Sequence, residues 1–460
     1  MKILWLILQV IFHILLLDQL RFTAWPEMLA YPYLVSAGFS LYKDFILPYP
    51  PGLIVLLMPF FNLFGYTPEV LKIFTYVFII AADILIFLIL YRLTRNYLKT
   101  AIFLTLFIIL QSFFDGHMLW FDFATILPLL ISFFFSLKWL ESKEDKNLLL
   151  VGMFLSLAVL VKQVALIYVF FFTIFFLLKA GKKLIINSFY LLIGGLIPIG
   201  LFFSYLLISY SFGEFWLWTL YYPLAEWSNF PGYVALKISK REIVIFIILF
   251  SPLLASLNFK NLIKNNALIL SYLFLFSAVL AIYPRFSLFH FQPVIAFLII
   301  TWVILYLSIR EHWKQLYLSW IMGVIFLVIY LLPKDFNQEI RFHEEREKII
   351  SKEISQRVGE QDRVFLLGIY SSQYVFTKTL PPTHWSDNFG WYLEIPGVQE
   401  WVLEGFKRDL PDYVFRRIPS SGNWFNLGVY QPKKIVDFIN GRYYLEEVIL
   451  GDIEVWKIKD

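Results

Sequence analysis

Long apolar runs dominate the first 332 residues of this 460-residue chain. A helix crosses the bilayer core with about 20 apolar residues, and many of these runs reach or approach that length. The chain is 59% hydrophobic and contains 50 Phe and 27 Tyr, which is more apolar than a soluble domain. The pattern predicts a polytopic α-helical membrane protein with about eleven transmembrane helices, at 3–17, 69–91, 100–113, 123–138, 147–161, 164–178, 184–208, 242–257, 267–283, 293–308 and 316–332.

Lys and Arg are unevenly distributed between the two alternating sets of loops. The set that includes Lys2 and the turn at 179–183 is short and basic, whereas the opposite loops are longer and less basic. Because cytoplasmic loops carry the excess of basic residues, we expect a multi-pass protein of the plasma (cytoplasmic) membrane with a cytoplasmic N-terminus. The apolar stretch 147–178 is broken only by Lys162 and Gln163. Since a lone lysine at mid-bilayer is costly, the sequence predicts two helices here, with Lys162 at an outer turn.

The composition changes after residue 333. An amphipathic helical pattern and short apolar runs such as RVFLLGI and IEVWKI alternate there, which predicts a small α/β domain. The predicted domains are therefore a transmembrane domain at 1–333, with its first outer loop at 18–68, and an extracytoplasmic α/β domain at 334–460. The chain has no cysteine, which excludes disulfides and thiol chemistry. Its net charge of +5 is spread over short loops, so we expect no nucleic-acid partner.

The first outer loop carries the most unusual polar residues. Its sequence from Trp25 to Gly52 contains two carboxylates, Glu27 and Asp44, and ends in Pro-Pro-Gly. Tyr42 and Lys43 directly precede the second carboxylate. A polar, carboxylate-bearing loop directly after a first membrane span indicates a site rather than a simple connection.

The other outer loops contribute further polar side chains on the same side of the membrane. Ionisable residues near membrane depth are expensive and usually functional, so their convergence predicts one site at the outer face. Three residues that can bind metal occur within eight positions of the second outer loop, and they allow a divalent cation there. The residues are Asp115, His117 and Asp122 in that loop, Lys162 and Gln163 at the predicted tight turn, and Arg285 and His290 before a late span.

The first loop resembles that of the GT-C glycosyltransferases, which are membrane enzymes that take a sugar from a polyprenyl-phosphate carrier. In that family an acidic pair after span 1 is followed by a stretch ending in Gly, a Tyr-x-Asp step and Pro-Pro. Here these are Glu27, Gly38, Tyr42 to Asp44, and Pro50-Pro51. Pro26 stands where the first acid of the pair would be, which departs from the pattern. The chain is most similar to the protein O-mannosyltransferase and lipid A aminoarabinose transferase families.

The resemblance implies an inverting glycosyltransferase that acts at the outer membrane face. Its partners would be a polyprenyl-phosphate sugar donor, membrane lipids, and a lipid, glycan or protein acceptor. A carboxylate would take the acceptor proton, and cations would neutralise the donor phosphate. Glu27 is the favoured base with Asp44 as the alternative; Lys162, Arg285 and His290 would bind the phosphate; Tyr42, Lys43, His117 and Gln163 would line the site.

Each of these residues also has a structural interpretation. Glu27 could be a rim carboxylate, Asp44 a helix cap, and Arg285 a cation that reaches toward the interface. The residues of the second outer loop could hold that loop by hydrogen bonds instead of binding metal. At the level of function, the alternatives are a ligase or polymerase of polyprenyl-diphosphate glycans and a non-catalytic relative. A transporter or flippase fits less well, because such proteins place paired charges at mid-bilayer and often contain inverted repeats.

Overall fold

A computed structural model describes residues 2–230, 233–235, 237–255, 265–308, 311–331, 339–418 and 431–459. The chain divides into two compact units, each assembled from three separate stretches. The first unit contains Met1–Phe22, Ile73–Phe202 and Ala235–Gln338, and the second contains Thr23–Lys72, Phe203–Val234 and Glu339–Asp460. The first outer loop thus belongs to the same unit as the C-terminal segment, while the predicted membrane and extracytoplasmic domains, divided at 333/334, stay a prediction.

Apolar helices form the first unit, and each predicted span overlaps one of them. Four helices in the described ranges are long and apolar enough to cross a membrane: Pro68–Thr94, Phe121–Ser142, Gly181–Ile208 and Leu288–Ser308. Several others are apolar but shorter. The α-helices are Lys2–Asp18, Pro68–Thr94, Tyr97–Phe113, Phe121–Ala124, Ile126–Ser142, Asp145–Val161, Leu166–Lys179, Leu184–Ile208, Lys240–Ala255, Asn266–Leu280, Gln292–Ser308 and Glu311–Leu331.

Burial separates inner helices from outer ones within this unit. Helix Gln292–Ser308 is buried at every position from Gln292 to Tyr306. It has no polar face, because no side of it is exposed over these residues. Helix Leu184–Ile208 instead exposes large apolar side chains, with Ile185 88% and Leu201 72% exposed. An exposed apolar surface of this kind is suited to lipid rather than water. The exposed apolar helices are therefore those of a membrane protein.

The predicted break at Lys162 is confirmed. Helix Asp145–Val161 ends directly before Lys162, whose backbone is extended, and a single 3₁₀ turn at Gln163–Ala165 leads into helix Leu166–Lys179. The apolar stretch 147–178 therefore forms two helices, as the cost of a mid-bilayer lysine requires.

A buried polar network joins three helices of the first unit. The His13 ring contacts Asp83 Oδ2 through Nδ1 at 2.9 Å and Gln111 Oε1 through Nε2 at 2.8 Å. Gln111 Nε2 in turn donates to the Gly116 carbonyl at 3.0 Å. Because all three side chains are fully or almost fully buried, these bonds offset the cost of their desolvation and anchor the start of the second outer loop.

Two glycines bring helices Asp145–Val161 and Leu184–Ile208 into backbone contact. A Cβ added at Gly152 would lie 2.1 Å from the Leu191 carbonyl oxygen, and one at Gly194 would lie 1.9 Å from that of Leu149. Small residues permit such close approach of helices in membranes, where van der Waals packing contributes much of the association energy.

The second unit combines short helices with a four-stranded sheet. The strands are β1 (Val364–Leu367), β2 (Tyr413–Arg417), β3 (Tyr443–Ile449) and β4 (Ile453–Ile458), in the order β1-β2-β4-β3. Strands β1 and β2 are parallel, whereas β4 is antiparallel to both β2 and β3. The small C-terminal α/β arrangement is therefore confirmed. The α-helices of this unit are Pro26–Ser36, Gly52–Phe64, Phe212–Trp216, Tyr222–Ala225, Glu345–Ser355, Ser372–Thr377, Gly390–Leu393, Val398–Arg408 and Lys433–Arg442.

The first loop folds against the C-terminal segment within this unit. Helix Pro26–Ser36 packs against helices Gly52–Phe64 and Ser372–Thr377. The Trp385 N–H donates to the Asp44 carbonyl at 2.8 Å, and the Trp385 carbonyl accepts from the Ile46 N–H at 3.0 Å. These backbone bonds fix the segment around Trp385 to the loop that the sequence marked as functional.

Candidate functional site

Glu27 lies in the first turn of helix Pro26–Ser36. Proline at the first helical position has its φ angle preset for a helix and lacks an N–H that would have no partner there, which explains why the helix begins at Pro26. The Glu27 side chain is only 3% exposed, and its buried Oε2 atom has no hydrogen-bond partner among the residues that the structure describes. A buried carboxyl oxygen with no partner is costly, so packing alone does not explain this side chain.

Burial controls the protonation of Glu27. Burial first, and then the negative charge of Asp387, raise the pKa of this carboxyl to about 8, while a backbone hydrogen bond opposes both effects. Desolvation and a nearby like charge both disfavour the ionised form. Glu27 is therefore mainly protonated at neutral pH, and its ionised form is a stronger base than an exposed glutamate.

Asp387 is a site residue that the sequence analysis missed. It is 1% exposed, and it accepts hydrogen bonds from Ser371 Oγ and from the Asn388 N–H, both at 3.0 Å. Burial raises its pKa to about 6. The only sequence signal was an acid in the run HWSDNFGW, between two tryptophans in a segment of otherwise ordinary composition.

Asp44 has a local partner in its own turn. Its Oδ2 accepts from the Ser40 N–H at 2.7 Å, and its N–H donates to the Ser40 carbonyl at 3.1 Å. The side chain is half-buried, and this geometry is that of a carboxylate that closes a turn. Neighbouring Tyr42 is fully buried at a φ of 68° and donates to the Tyr49 carbonyl at 3.0 Å, whereas Lys43 is exposed.

Asp122, Lys162 and His290 form a second cluster, in the first unit. Lys162 Nζ donates to both oxygens of Asp122 at 2.7 Å, and His290 Nδ1 contacts Asp122 Oδ2 at 2.7 Å. Asp122 is 3% and Lys162 8% exposed. The structure thus brings together the predicted phosphate-binding pair Lys162 and His290, and it adds the carboxylate that neutralises the lysine.

Three different local structures position this cluster. Asp122 lies in the short helix Phe121–Ala124, Lys162 is the extended residue between two helices, and His290 is in a 3₁₀ turn before helix Gln292–Ser308. Interrupted helices therefore present all three side chains. A buried charge needs a partner of this kind, and a two-point bond from Lys162 supplies it.

The remaining predicted residues lie in the first unit. The side chains of Asp115, His117, Gln163 and Arg285 are half-buried, and Arg285 belongs to a backbone bridge with Ala235. Among the residues that the structure describes, no three His, Cys, Asp or Glu side chains are grouped to hold a metal ion. The cation site that the sequence allows at Asp115, His117 and Asp122 therefore has no grouped ligand set in the described ranges.

The fold is similar to that of solved membrane proteins. ArnT from Cupriavidus metallidurans bound to undecaprenyl phosphate matches 99% of this chain and 97% of its own, with a TM-score of 0.57 at 11% identity. Its apo state gives a TM-score of 0.58 at 10% identity over the same shares. The archaeal oligosaccharyltransferase AglB from Archaeoglobus fulgidus, in complex with an inhibitory peptide and a dolichol-phosphate, matches 90% of this chain and 69% of its own, with a TM-score of 0.52 at 11% identity.

These likenesses, at 10–11% identity, show that the chain shares its fold with ArnT and AglB. No family model matches the sequence, and no curated protein matches it either.

Proposed function

We propose that this protein is an inverting glycosyltransferase that moves a sugar from a polyprenyl-phosphate carrier to an acceptor hydroxyl. The observation that carries the proposal is the buried Glu27 carboxyl, one oxygen of which has no partner in the described part of the chain. The fold supports it, because ArnT and AglB, which share that fold, were solved with undecaprenyl phosphate and with a dolichol-phosphate. The sugar and the acceptor are not specified by these observations.

The reaction requires one proton acceptor and one stabilised leaving group. The acceptor oxygen forms a bond to the anomeric carbon. The bond from that carbon to the phosphate oxygen breaks, and its electron pair passes to the phosphate oxygen. The proton of the acceptor hydroxyl passes to the ionised Glu27 carboxylate. A general base is most effective when its pKa lies near the working pH, and the raised pKa of Glu27 meets this condition.

Lys162, His290 and Arg285 would bind the donor phosphate. A lysine ammonium has three N–H donors, and Lys162 uses two of them on Asp122, which leaves one for a phosphate oxygen. His290 donates through Nδ1 to the same carboxylate, so its Nε2 can face a ligand. Asp122 would hold both groups in position, and this arrangement supports a fixed rather than a mobile phosphate site.

The finer topology also belongs to this proposal. We infer about eleven spans of roughly bilayer length, a cytoplasmic N-terminus and an outer C-terminal domain. The excess of Lys and Arg in one set of loops supports this orientation. With the site at the outer face, the donor's lipid tail would lie beside the exposed apolar helices such as Leu184–Ile208.

The substitution Glu27→Gln tests the proposed base. Glutamine keeps the size of the side chain but cannot accept a proton, so transfer should fall by roughly 10²–10⁴-fold, the usual contribution of a general base. Transfer is measured in membranes with labelled polyprenyl-phosphate sugars, and donor binding should be unchanged.

Asp44→Asn is the matched control, because Asp44 has a structural partner in its own turn. It should keep most of the activity. If Glu27→Gln were as active as the wild type while Asp44→Asn was inactive, the base would be Asp44 and this assignment would be wrong.

A further inference from the structure

Glu27 and Asp387 are two buried carboxyl groups with opposite hydrogen-bond environments. Asp387 is held by the Ser371 hydroxyl and the Asn388 N–H. Glu27 is almost as deeply buried, but one of its oxygens has no partner within the described ranges. Bonds that donate to a carboxylate stabilise its charge, so the negative charge of the two groups resides on Asp387 and the proton resides on Glu27.

Aromatic contacts bring the two carboxyl groups to one place in the second unit. Tyr31 lies one helical turn after Glu27 and therefore on the same helix face. Its ring is 6.2 Å from that of Trp385, and Trp385 precedes Asp387 by two residues. Since Trp385 is also fixed by backbone bonds to the first loop, the position of Asp387 relative to helix Pro26–Ser36 is determined by packing.

The surroundings of Glu27 contain no compensating cation. In the described part of the chain, the groups that shift its pKa are Asp387 and its own backbone, after burial itself. The other titratable groups that face the two carboxyls are phenols, and those of Tyr31, Tyr374 and Tyr392 have a pKa that burial raises above its usual value. These phenols stay neutral in the working range of pH.

We propose that Asp387 is a positioning residue for Glu27: its fixed carboxylate favours the protonated form of Glu27, and so sets the pH above which Glu27 has lost that proton to solvent and can accept the one from the acceptor hydroxyl. The inference rests on the proposed function, because it gives a role in transfer to a residue of the C-terminal segment. Without Asp387 the Glu27 carboxyl would ionise more easily but would be a weaker base. The pair therefore links the late segment around Trp385 to the chemistry of the first loop.

A pH profile of transfer tests this role. In the wild type the rate should rise with pH and level off above about 8, because only ionised Glu27 accepts a proton. Asp387→Asn removes the like charge, so the ionised form becomes easier to reach and the midpoint should move down by about one pH unit. Asp409→Asn is the matched control, since Asp409 is also bonded to a neighbouring hydroxyl and N–H, at Thr383, but is not among the groups that shift the pKa of Glu27. It should leave the midpoint unchanged.

Infrared titration gives a second readout that does not depend on activity. The protonated-carboxyl band that disappears in Glu27→Gln reports Glu27 directly, and its midpoint should be lower in Asp387→Asn than in the wild type. An unchanged midpoint in folded Asp387→Asn would overturn the inference. If that variant does not fold, the wild-type titration decides: a Glu27 band that titrates at the ordinary pH of an exposed glutamate overturns the inference, and one near pH 8 supports it.

The two readouts separate this inference from the proposed function. A wild-type protein that shows the raised Glu27 midpoint but transfers no sugar would contradict the proposed function and leave the carboxyl pair intact. Normal transfer with identical pH profiles in the wild type and Asp387→Asn would contradict the pair alone.

Discussion

Lys162 carries a buried positive charge that a single carboxylate compensates. Its ammonium group donates to both oxygens of Asp122, and His290 shares one of them. Removing one partner of a buried ion pair costs about 3–5 kcal/mol, because the other charge remains uncompensated. Any test of Lys162 in donor binding must therefore separate loss of the phosphate contact from loss of the fold.

Arg285→Ala and Lys162→Ala should weaken use of the donor more than use of the acceptor. A hydrogen bond to a charged group contributes about 1.5–3 kcal/mol, so the donor KM should rise roughly tenfold to hundredfold. For Lys162 the measurement is repeated with Asp122→Asn in the same protein, which removes the uncompensated carboxylate. The exposed Lys240→Ala is the control. A donor KM equal to that of the wild type in both folded variants would exclude the phosphate role.

Some site residues could be predicted from the sequence because their constraint is local. Lys162 interrupts an apolar stretch, and the cost of its charge in a membrane forces a turn there. Asp387 could not be predicted, because its burial depends on a contact with a helix more than 300 residues earlier. Asp122 was named from the sequence as a possible metal ligand. Its ion pairs with Lys162 and His290 could not be predicted, because these partners come from other elements.

At the scale of elements, the apolar runs predicted the helices. A single segment in lipid must satisfy its backbone N–H and C=O groups internally, and a helix does so. How closely two helices approach could not be predicted from these runs. The paired glycines at 152 and 194 set how closely two helices approach, and neither is distinguishable in the sequence from Gly200, where an added Cβ would meet no atom within 4 Å. Only the packing shows which glycine is required.

Gly194→Ala should therefore destabilise the protein, whereas Gly200→Ala should not. The added methyl at Gly194 would lie 1.9 Å from a backbone oxygen, so the two helices must move apart. Overpacking of this kind costs about 1–3 kcal/mol. Thermal unfolding in detergent should show a lower Tm for Gly194→Ala and a wild-type or higher Tm for Gly200→Ala. Equal Tm values for the two variants would contradict the close approach.

At the scale of the whole molecule, the sequence predicted a helical membrane part and a small α/β part, and both are present. It did not predict that the first loop, the segment 203–234 and the C-terminal segment would form one compact unit. Compact units follow from long-range contacts, and apolar periodicity carries no information about them. This grouping matters for the proposed function because Glu27 and Asp387 lie in the same unit.

The most direct test of the central claim is the lipid product of the wild-type protein. Purified protein in sealed vesicles, with its C-terminal domain facing outward, is given a panel of polyprenyl-phosphate sugars and a membrane extract as acceptor. Our account predicts release of polyprenyl phosphate together with sugar on the acceptor, and little release by Glu27→Gln. It would be contradicted if the wild type released no polyprenyl phosphate from any donor, or if it acted only on polyprenyl-diphosphate glycans.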